Sequence, residues 1–376
     1  MFTKMIYLDN AATSFPKALG VSDAMKRFLD EECANVGRGS YVRAQEAGLS
    51  VIETRERICD LFDCPDEKHV IFTGGMTAAL NMIIKGYVRR GDKVLVSSFE
   101  HNSVIRPLVQ IGAEIVRIPA TEDGVSDLNK LPENLSGFRL CVHTFASNVS
   151  GMIQPIGALS GLLKAAGVPL CIDAAQAAGH FLFSMKELVA DAICMPAHKG
   201  LLGPQGLGIL CLTPELADRL DPLISGGTGS LSDSFEIPHF YPDRLEAGTL
   251  NLPGIIGLKT ALDTADFGKV REHEIRLMTR FQNAVKDVSY IRILGSTDTE
   301  RRVGVYSMDF QRKDNAEISY RLETEYGILT RCGLHCAPDA HRASGTFPGG
   351  TVRFSFSLAT TIEELDAALS AIEELA

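Results

Sequence analysis

The sequence lacks any dense run of basic residues. It has 37 lysines and arginines against 47 acidic residues, a formal net charge of −10 at pH 7, which gives little support to a nucleic-acid or anionic-membrane surface. It also lacks a membrane span, because the apolar run Val168–Phe183 is short and is interrupted by Asp173, Gln176 and His180. Met1–Asp9 has no signal-peptide apolar core. We therefore expect a cytoplasmic protein with small-molecule or protein partners.

Paired cysteines are missing as well. The nine cysteines are scattered and odd in number, and no pair has the two-residue spacer of a zinc motif, so we predict neither a disulfide framework nor a metal site. Most of them stand in apolar runs, where cysteine behaves as a small hydrophobic residue. Cys336 differs, because its neighbours are Arg331, His335 and Pro338.

The pattern along the chain predicts an α/β protein with two domains. The 376 residues are 45% hydrophobic and 22% charged, the balance of a globular chain with a large core. Between Val70 and Leu212 short apolar runs alternate with helical patterns, which is typical of a mainly parallel sheet. The predicted strands are Val70–Phe72, Val94–Ser98, Glu114–Pro119, Leu140–Ala146, Leu170–Asp173, Ala192–Ala197 and Gly208–Leu212. Ligands of such sheets collect at the carboxyl ends of the strands.

Beyond the Gly/Pro-rich segment Gly226–Gly257 the pattern changes to that of a smaller α+β domain. Strands are predicted there at Val303–Phe310 and Val352–Ser357, and a last helix is capped by Thr361 with Glu364 three residues on. The other predicted helices are Asp23–Cys33, Ala44–Phe62, Ile255–Phe267, Val270–Asp287 and Ala316–Tyr326. We predict a large domain over 14–250 and a small domain made of 1–13 with 251–376.

Two residues at predicted strand ends suggest one cofactor. Lys199 lies just past Ala192–Ala197 at the start of a glycine-rich turn, and Asp173 ends Leu170–Asp173. A lysine that forms a Schiff base and a carboxylate that holds a pyridinium proton are what pyridoxal phosphate (PLP) chemistry requires. The plainer interpretations are a surface lysine on a loop and a helix-capping aspartate.

Two further strand ends carry polar groups. Thr73-Gly74-Gly75-Met76-Thr77 follows a strand and opens a helix, so its backbone N–H groups and the Thr77 hydroxyl suit a phosphate. His101 follows Val94–Ser98, where an imidazole can lie over a bound ring or transfer a proton. A Gly-Gly turn and a lone histidine also have ordinary structural roles.

Eight motifs occur in the order seen in one enzyme family. They are Tyr7–Thr13, Ala34–Val36, Glu100–Ser103, Ser147–Gly151, Asp173–Gln176, His198–Lys199, Glu246–Thr249 and the run Arg331-x-Gly333-x-His335-Cys336-Ala337. Together they resemble the cysteine desulfurases, which are class V, fold-type I PLP enzymes. The cysteine motif is similar to that of group II, which includes selenocysteine lyases. The resemblance extends from Tyr7 to about Ser357 and implies PLP as cofactor and a PLP-binding large domain.

The resemblance implies roles around the cofactor ring. Lys199 matches the Schiff-base lysine, Asp173 the residue that faces the pyridine nitrogen, and Gln176 the residue at the ring hydroxyl. His101 matches the residue stacked on the ring, and Asn148 one that binds near ring and substrate.

At the phosphate side the resemblance implies four positions. The backbone of Met76, the Thr77 hydroxyl and His198 match phosphate-side residues. Thr249 matches a phosphate ligand that reaches over from the partner subunit, which implies a homodimer with shared sites.

Four residues depart from the family pattern. Pro196 stands where many members have a phosphate-binding serine, and Ala78 where many have glutamate. Leu334 replaces a histidine often found before the His-Cys pair, and Pro338 follows that pair. These changes alter the expected phosphate shell and the loop that carries the cysteine.

The implied reaction is the conversion of L-cysteine to L-alanine with transfer of sulfur to Cys336 as a persulfide. Arg353 matches the clamp for the substrate carboxylate, since its fork binds both oxygens. Lys199 removes the Cα proton, and either His101 or His335 assists Cys336. The alternatives are a selenocysteine lyase, an aminotransferase or racemase in which Cys336 is incidental, and a non-catalytic scaffold or sulfur-relay protein. A sulfur-acceptor protein is an expected partner of the desulfurase.

Overall fold

The structure is a computed structural model, and it describes residues 5–375 except 38, 40, 287 and 289. The strands of the described residues are β1 (Ile6–Tyr7), β2 (Val70–Thr73), β3 (Lys93–Ser97), β4 (Glu114–Ile118), β5 (Leu140–Thr144), β6 (Leu170–Asp173), β7 (Ala192–Pro196), β8 (Gly208–Leu212), β9 (Ile291–Ile293), β10 (Val305–Phe310), β11 (Ile328–Leu329), β12 (Arg331–Gly333) and β13 (Thr351–Ser355).

The helices are α1 (Val21–Arg27), α2 (Val42–Phe62), α3 (Met76–Tyr87), α4 (Asn102–Ile111), α5 (Ile156–Ala166), α6 (Pro214–Ala217), α7 (Leu252–Thr264), α8 (Phe267–Val285), α9 (Asn315–Tyr326), α10 (Pro338–Ala343) and α11 (Ile362–Leu375). A π-helical segment extends α1 to Glu32. The end expected for one helix, Asp287, lies outside the described residues. None of the described helices is both long and apolar enough to cross a membrane.

The larger sheet has seven strands in the order β2-β8-β7-β6-β5-β3-β4. The pairs from β7 to β4 are parallel, whereas β8 runs antiparallel to both β7 and β2. The predicted α/β fold with a mainly parallel sheet is therefore confirmed. Because side chains alternate along each strand, the sheet has an apolar cluster on each face. The strands β5, β7 and β8 are buried at every residue, as expected for strands covered on both faces.

The second sheet has four antiparallel strands in the order β12-β13-β10-β9, and β1 pairs with β11 beside it. Its core joins residues of α8, α9 and α11, among them Phe281, Leu322 and Leu365, to Tyr306 and Phe354 of the strands. Helix α7 packs on the core of the larger sheet. The domain boundaries at 14–250 and at 1–13 with 251–376 stay a prediction.

Candidate active site

A cleft of about 350 Å³ lies where the parallel strands end. Its lining residues come from both sheets and from the segment that follows β1. Nine of the eleven residues predicted for the site line it: Met76, Thr77, His101, Asn148, Asp173, Gln176, His198, Lys199 and Arg353. The other two, Cys336 and Thr249, do not. The order of the strand ends therefore brings together residues that are far apart in the sequence.

Lys199 is partly buried, lines the cleft and follows β7 by three residues. Burial lowers the pKa of its amine to about 8, and Arg353 and Arg331 act in the same direction against the opposing charge of Asp173. An ordinary lysine is protonated at neutral pH. A larger fraction of Lys199 is a neutral nucleophile under those conditions.

Asp173 and Gln176 form the inner wall. Asp173 is 3% exposed at the end of β6, and its Oδ1 accepts a hydrogen bond of 2.9 Å from Ala175 N. Burial raises the pKa of the Asp173 carboxyl, while the Ala175 bond and Lys199 oppose the rise. Gln176 Nε2 donates to Ala11 O at 2.9 Å, and its buried Oε1 has no partner among the described residues. The wall thus has an unused hydrogen-bonding atom beside a carboxyl group.

His101 caps the start of α4 and has a defined tautomer. Its Nδ1 accepts a hydrogen bond from Ser103 N at 3.0 Å and lies 2.9 Å from Ser103 Oγ. Burial, together with the charges of Lys199 and Arg331, lowers the pKa of His101 to about 4. The ring is therefore neutral near pH 7 and carries its hydrogen on Nε2.

The start of α3 forms the end of the cleft that suits an anion. Gly75 precedes the helix with φ +135°, and a Cβ at Gly208 of β8 would lie 2.3 Å from Gly75 C, so the turn and the strand need glycine at their contact. Thr77 Oγ1 lies 2.9 Å from Ser103 Oγ. First-turn amides and two hydroxyls thus share this end of the cleft.

The residues that depart from the family pattern offer little to this anion site. Pro196 lines the cleft but has no N–H. Ala78 has no polar side chain, and its N–H donates to Gly75 O at 2.9 Å within the helix. His198 Nδ1 is buried without a partner among the described residues, and burial lowers the pKa of His198 to about 4.

Arg353 also lines the cleft and is 1% exposed. Its Nη2 donates to Asp9 Oδ1 at 2.8 Å and its Nη1 to Asn148 O at 3.1 Å. Its Nε has no partner among the described residues. The guanidinium is therefore held on two sides and keeps an unused donor.

Cys336 lies at the edge of the cleft behind Arg331. Arg331 lines the cleft and its Nη2 donates to Cys336 Sγ at 3.3 Å. His335 and Cys336 both have left-handed backbones, with φ +49° and +61°. The turn is held by Asn148 Nδ2, which donates to His335 O at 2.6 Å, and by Asn102 N, which donates to Cys336 O at 2.8 Å. The predicted ligand Asn148 and the neighbour of the predicted ligand His101 thus fix the cysteine turn.

The surroundings of His335 do not favour a role as a general base. Its side chain is 2% exposed, and Nε2 lies 3.0 Å from Thr351 Oγ1. Burial lowers the pKa of His335 well below its ordinary value. The ring is neutral and packed, which favours a structural part for it in the cysteine turn.

Thr249 is exposed and lies outside the cleft of its own chain. The segment before it is anchored by Glu246, which bonds Arg55 at 2.7 Å and accepts from Phe72 N at 2.6 Å. An exposed threonine on a fixed segment is compatible with contact to another subunit.

Sequence reasoning missed three polar residues at the site. Asp9 pairs with Arg353, and Ser103 links His101 to Thr77. Glu100 is buried, accepts from Ser97 N and Thr144 N, and so ties the ends of β3 and β5; burial raises its pKa to about 8. All three stood within motifs singled out in the sequence, and for Glu100 its place just after the predicted strand Val94–Ser98 was a further signal.

Comparison with known proteins assigns the chain to a family. The chain belongs to the class-V aminotransferase family, whose model "Aminotransferase class-V" matches residues 6–368. Within it, the chain is similar to proteins named as probable cysteine desulfurases. The one from Methanothermobacter thermautotrophicus is 30% identical and the one from Vibrio cholerae 32% identical, over 99% and 98% of this chain and 94% and 93% of theirs.

A solved structure has the same fold. The apo structure of a cysteine desulfurase from Thermococcus onnurineus superposes with a TM-score of 0.91 at 29% sequence identity, over 99% of this chain and 94% of that one. The predicted resemblance to cysteine desulfurases and the fold that it implied are confirmed.

Proposed function

We propose that the chain is a PLP-dependent cysteine desulfurase that converts L-cysteine to L-alanine and accepts the sulfur on Cys336. The observation that carries the proposal is the contact between Arg331 and Cys336. It links a cysteine to the guanidinium that lines the Lys199 cleft, at 3.3 Å. The relatives named as cysteine desulfurases, matched over nearly the whole chain, support the same activity.

The residues of the cleft fit PLP. Gln176 Oε1 and His198 Nδ1 are buried polar atoms that have no partner among the described residues, as expected of groups that await a ligand. The first turn of α3, with Thr77 and Ser103, suits the phosphate. Lys199 would bind the cofactor covalently and Asp173 would face its ring nitrogen. The bound cofactor would supply an electron sink for charge that develops at the substrate Cα.

Three side chains then act on the substrate. Arg353 binds the carboxylate with the N–H groups that Asp9 and Asn148 leave free. Lys199 Nζ takes the proton from Cα, which its pKa of about 8 suits near neutral pH. His101, neutral and fixed by Ser103, can donate from Nε2.

Cys336 completes the reaction as a nucleophile. Its thiolate attacks the substrate sulfur, an S–S bond forms, and the S–Cβ bond breaks with its electron pair left on the carbon side, which takes up protons to become alanine. The sum is L-cysteine plus a protein thiol giving L-alanine plus a protein persulfide. No external oxidant or reductant is needed. A sulfur-acceptor protein would then remove the outer sulfur.

The test compares two cysteines of the same segment. Cys336→Ala should abolish sulfide release from L-cysteine while PLP still binds, because the loss falls on a step after substrate binding. Cys332→Ala is the control, since Cys332 is also a partly buried free thiol but lies within β12. Sulfide, alanine and cofactor absorbance are measured for each variant.

The outcomes separate the candidate activities. Turnover of L-cysteine by Cys336→Ala at the wild-type rate would make Cys336 structural and the proposal wrong. Formation of a keto acid in place of alanine would identify an aminotransferase. Comparison with L-selenocysteine decides the lyase alternative, because selenium is the better leaving atom.

A further inference from the structure

A buried contact between a histidine and a carboxyl group lies next to Lys199, outside the cleft. His180 Nδ1 is 2.6 Å from Glu274 Oε1. Glu274 belongs to α8 and is 0% exposed, and His180 follows the Asp173–Gln176 motif. The contact therefore joins α8, which packs on the second sheet, to the segment that follows Asp173 and Gln176.

The contact with His180 is the one hydrogen bond that the Glu274 carboxyl group makes among the described residues. Its Oε2 has no hydrogen-bond partner among the described residues, and it lies so close to Gly304 that a Cβ there would be 3.4 Å from Glu274 Cδ. A buried carboxyl group with a single partner holds that partner in place, because an alternative arrangement would leave a buried polar group without a hydrogen bond.

The His180 ring in turn packs on the residue next to Lys199. A Cβ at Gly200 would lie 2.8 Å from His180 Cδ2 and 2.3 Å from Ala178 O, so the two segments touch through the Gly200 backbone. A cavity of about 10 Å³, no larger than one water molecule needs, is lined by His180, Glu274 and Lys199 together. Little space is left for the Lys199 segment to shift.

We propose that His180 and Glu274 are positioning residues that hold the Lys199 segment against α8 and so keep the lysine amine buried in the cleft. The proposal rests on the proposed function, in which that lysine binds PLP. Neither residue touches the cleft, and their effect passes through the Gly200 backbone.

The consequence is measurable on the amine itself. Burial is the main cause of the low pKa of Lys199, and Arg353 and Arg331 lower that pKa further while Asp173 opposes them. His101 and His198 also face the amine, and His180 and Glu274 share a small cavity with it. Loss of a negative charge at Glu274 would lower the pKa of Lys199, so an upward shift reports exposure of the amine rather than the lost carboxyl group. A segment that loosens would expose the amine to water and move its pKa upward, toward the ordinary value.

The experiment uses Glu274→Leu and Glu274→Gln in the full chain stripped of PLP. Competitive acetylation with acetic anhydride across a pH series, read by mass spectrometry, gives the midpoint of Lys199 reactivity. Glu274→Leu should raise the midpoint by about one pH unit, which is about tenfold less reactive amine at neutral pH. Glu274→Gln keeps an acceptor for His180 and should restore the wild-type midpoint.

Tyr306→Phe is the control for general loosening. Tyr306 Oη lies 3.1 Å from Gln282 Oε1 of α8, so its loss weakens the same helix without a contact to the Lys199 segment. Its midpoint should equal that of wild type. The thermal midpoints of all variants are recorded alongside.

Two results would overturn the proposal. One is a Glu274→Leu variant that loses thermal stability but keeps the wild-type Lys199 midpoint, and the other is an equal shift in Tyr306→Phe. If Glu274→Leu does not fold, His180→Phe takes its place, because it keeps a ring on Gly200 without the donor to Glu274. Acetylation needs neither cofactor nor substrate, so failure of PLP to attach to Lys199 would refute the proposed function separately.

Discussion

Substitution of Arg353 by lysine tests how the cleft binds a carboxylate. The guanidinium gives one N–H to Asp9 at 2.8 Å and one to Asn148 O at 3.1 Å, which leaves its other N–H groups, Nε among them, for a ligand. A lysine ammonium places all its hydrogens on one atom, so it cannot hold Asp9 and Asn148 and also meet a ligand from a fixed direction. The charge is kept and the geometry is lost.

The size of the loss follows from one charge-assisted contact. Hydrogen bonds to charged groups contribute about 1.5–3 kcal/mol, so kcat/KM for L-cysteine should fall about 10- to 150-fold. The assay adds two ligands that differ only in the carboxylate. The affinity of the PLP-loaded enzyme for L-alanine should fall by that factor in Arg353→Lys, whereas its affinity for ethylamine should stay at the wild-type value.

Arg302→Lys is the matched control. Arg302 is also fully buried, but its guanidinium binds the backbone carbonyls of Ser150, Ser296 and Val305, outside the cleft. That variant should be less stable than wild type, but its affinities for L-alanine and for ethylamine should not change relative to each other. Equal weakening of both ligands by Arg353→Lys, or no weakening of alanine, would refute the assignment of Arg353 to the carboxylate.

The buried strands of the larger sheet were predictable because each is a short apolar run between turn residues. The predicted bounds Leu170–Asp173 and Gly208–Leu212 agree with β6 and β8. The antiparallel direction of β8 was not predictable, since the direction of a strand depends on its partners rather than on its own residues. The capping box at Thr361 and Glu364 is confirmed by its two reciprocal hydrogen bonds of 3.2 Å.

The strands missed in the sequence are short and pair at long range. Strands β1 and β11 have two residues each, and Ile6 pairs with Ile328. Two or three residues carry no measurable alternation, so no pattern signals them. Yet they matter for the site, because the segment after β1 runs beside β13 and brings Asp9 to Arg353.

The site residues that follow predicted strands or lie in the family motifs could be predicted from the sequence. Lys199, Asp173 and His101 each follow a strand, and parallel strands end at one edge of a sheet. The position of Cys336 behind Arg331 was not predictable, because it depends on two consecutive left-handed residues and on hydrogen bonds from Asn102 and Asn148. A sequence gives the residues of such a turn without its backbone path.

Two further predictions concern the last helix and the assembly. Thr361→Ala removes the capping box of α11 and should lower the free energy of unfolding in urea by about 0.5–2 kcal/mol. Thr324→Ala, at an exposed position inside α9, should not lower it. Equal losses in the two variants would show that the capping box does not stabilise α11. Thr249 lies outside its own cleft, so in a homodimer with shared sites a Lys199→Ala chain and a Thr249→Ala chain complement each other. In a random mixture about half of the dimers are mixed and each has one intact site, which restores about a quarter of wild-type activity. Activity no greater than the sum of the two parents would mean that each site is built from one chain.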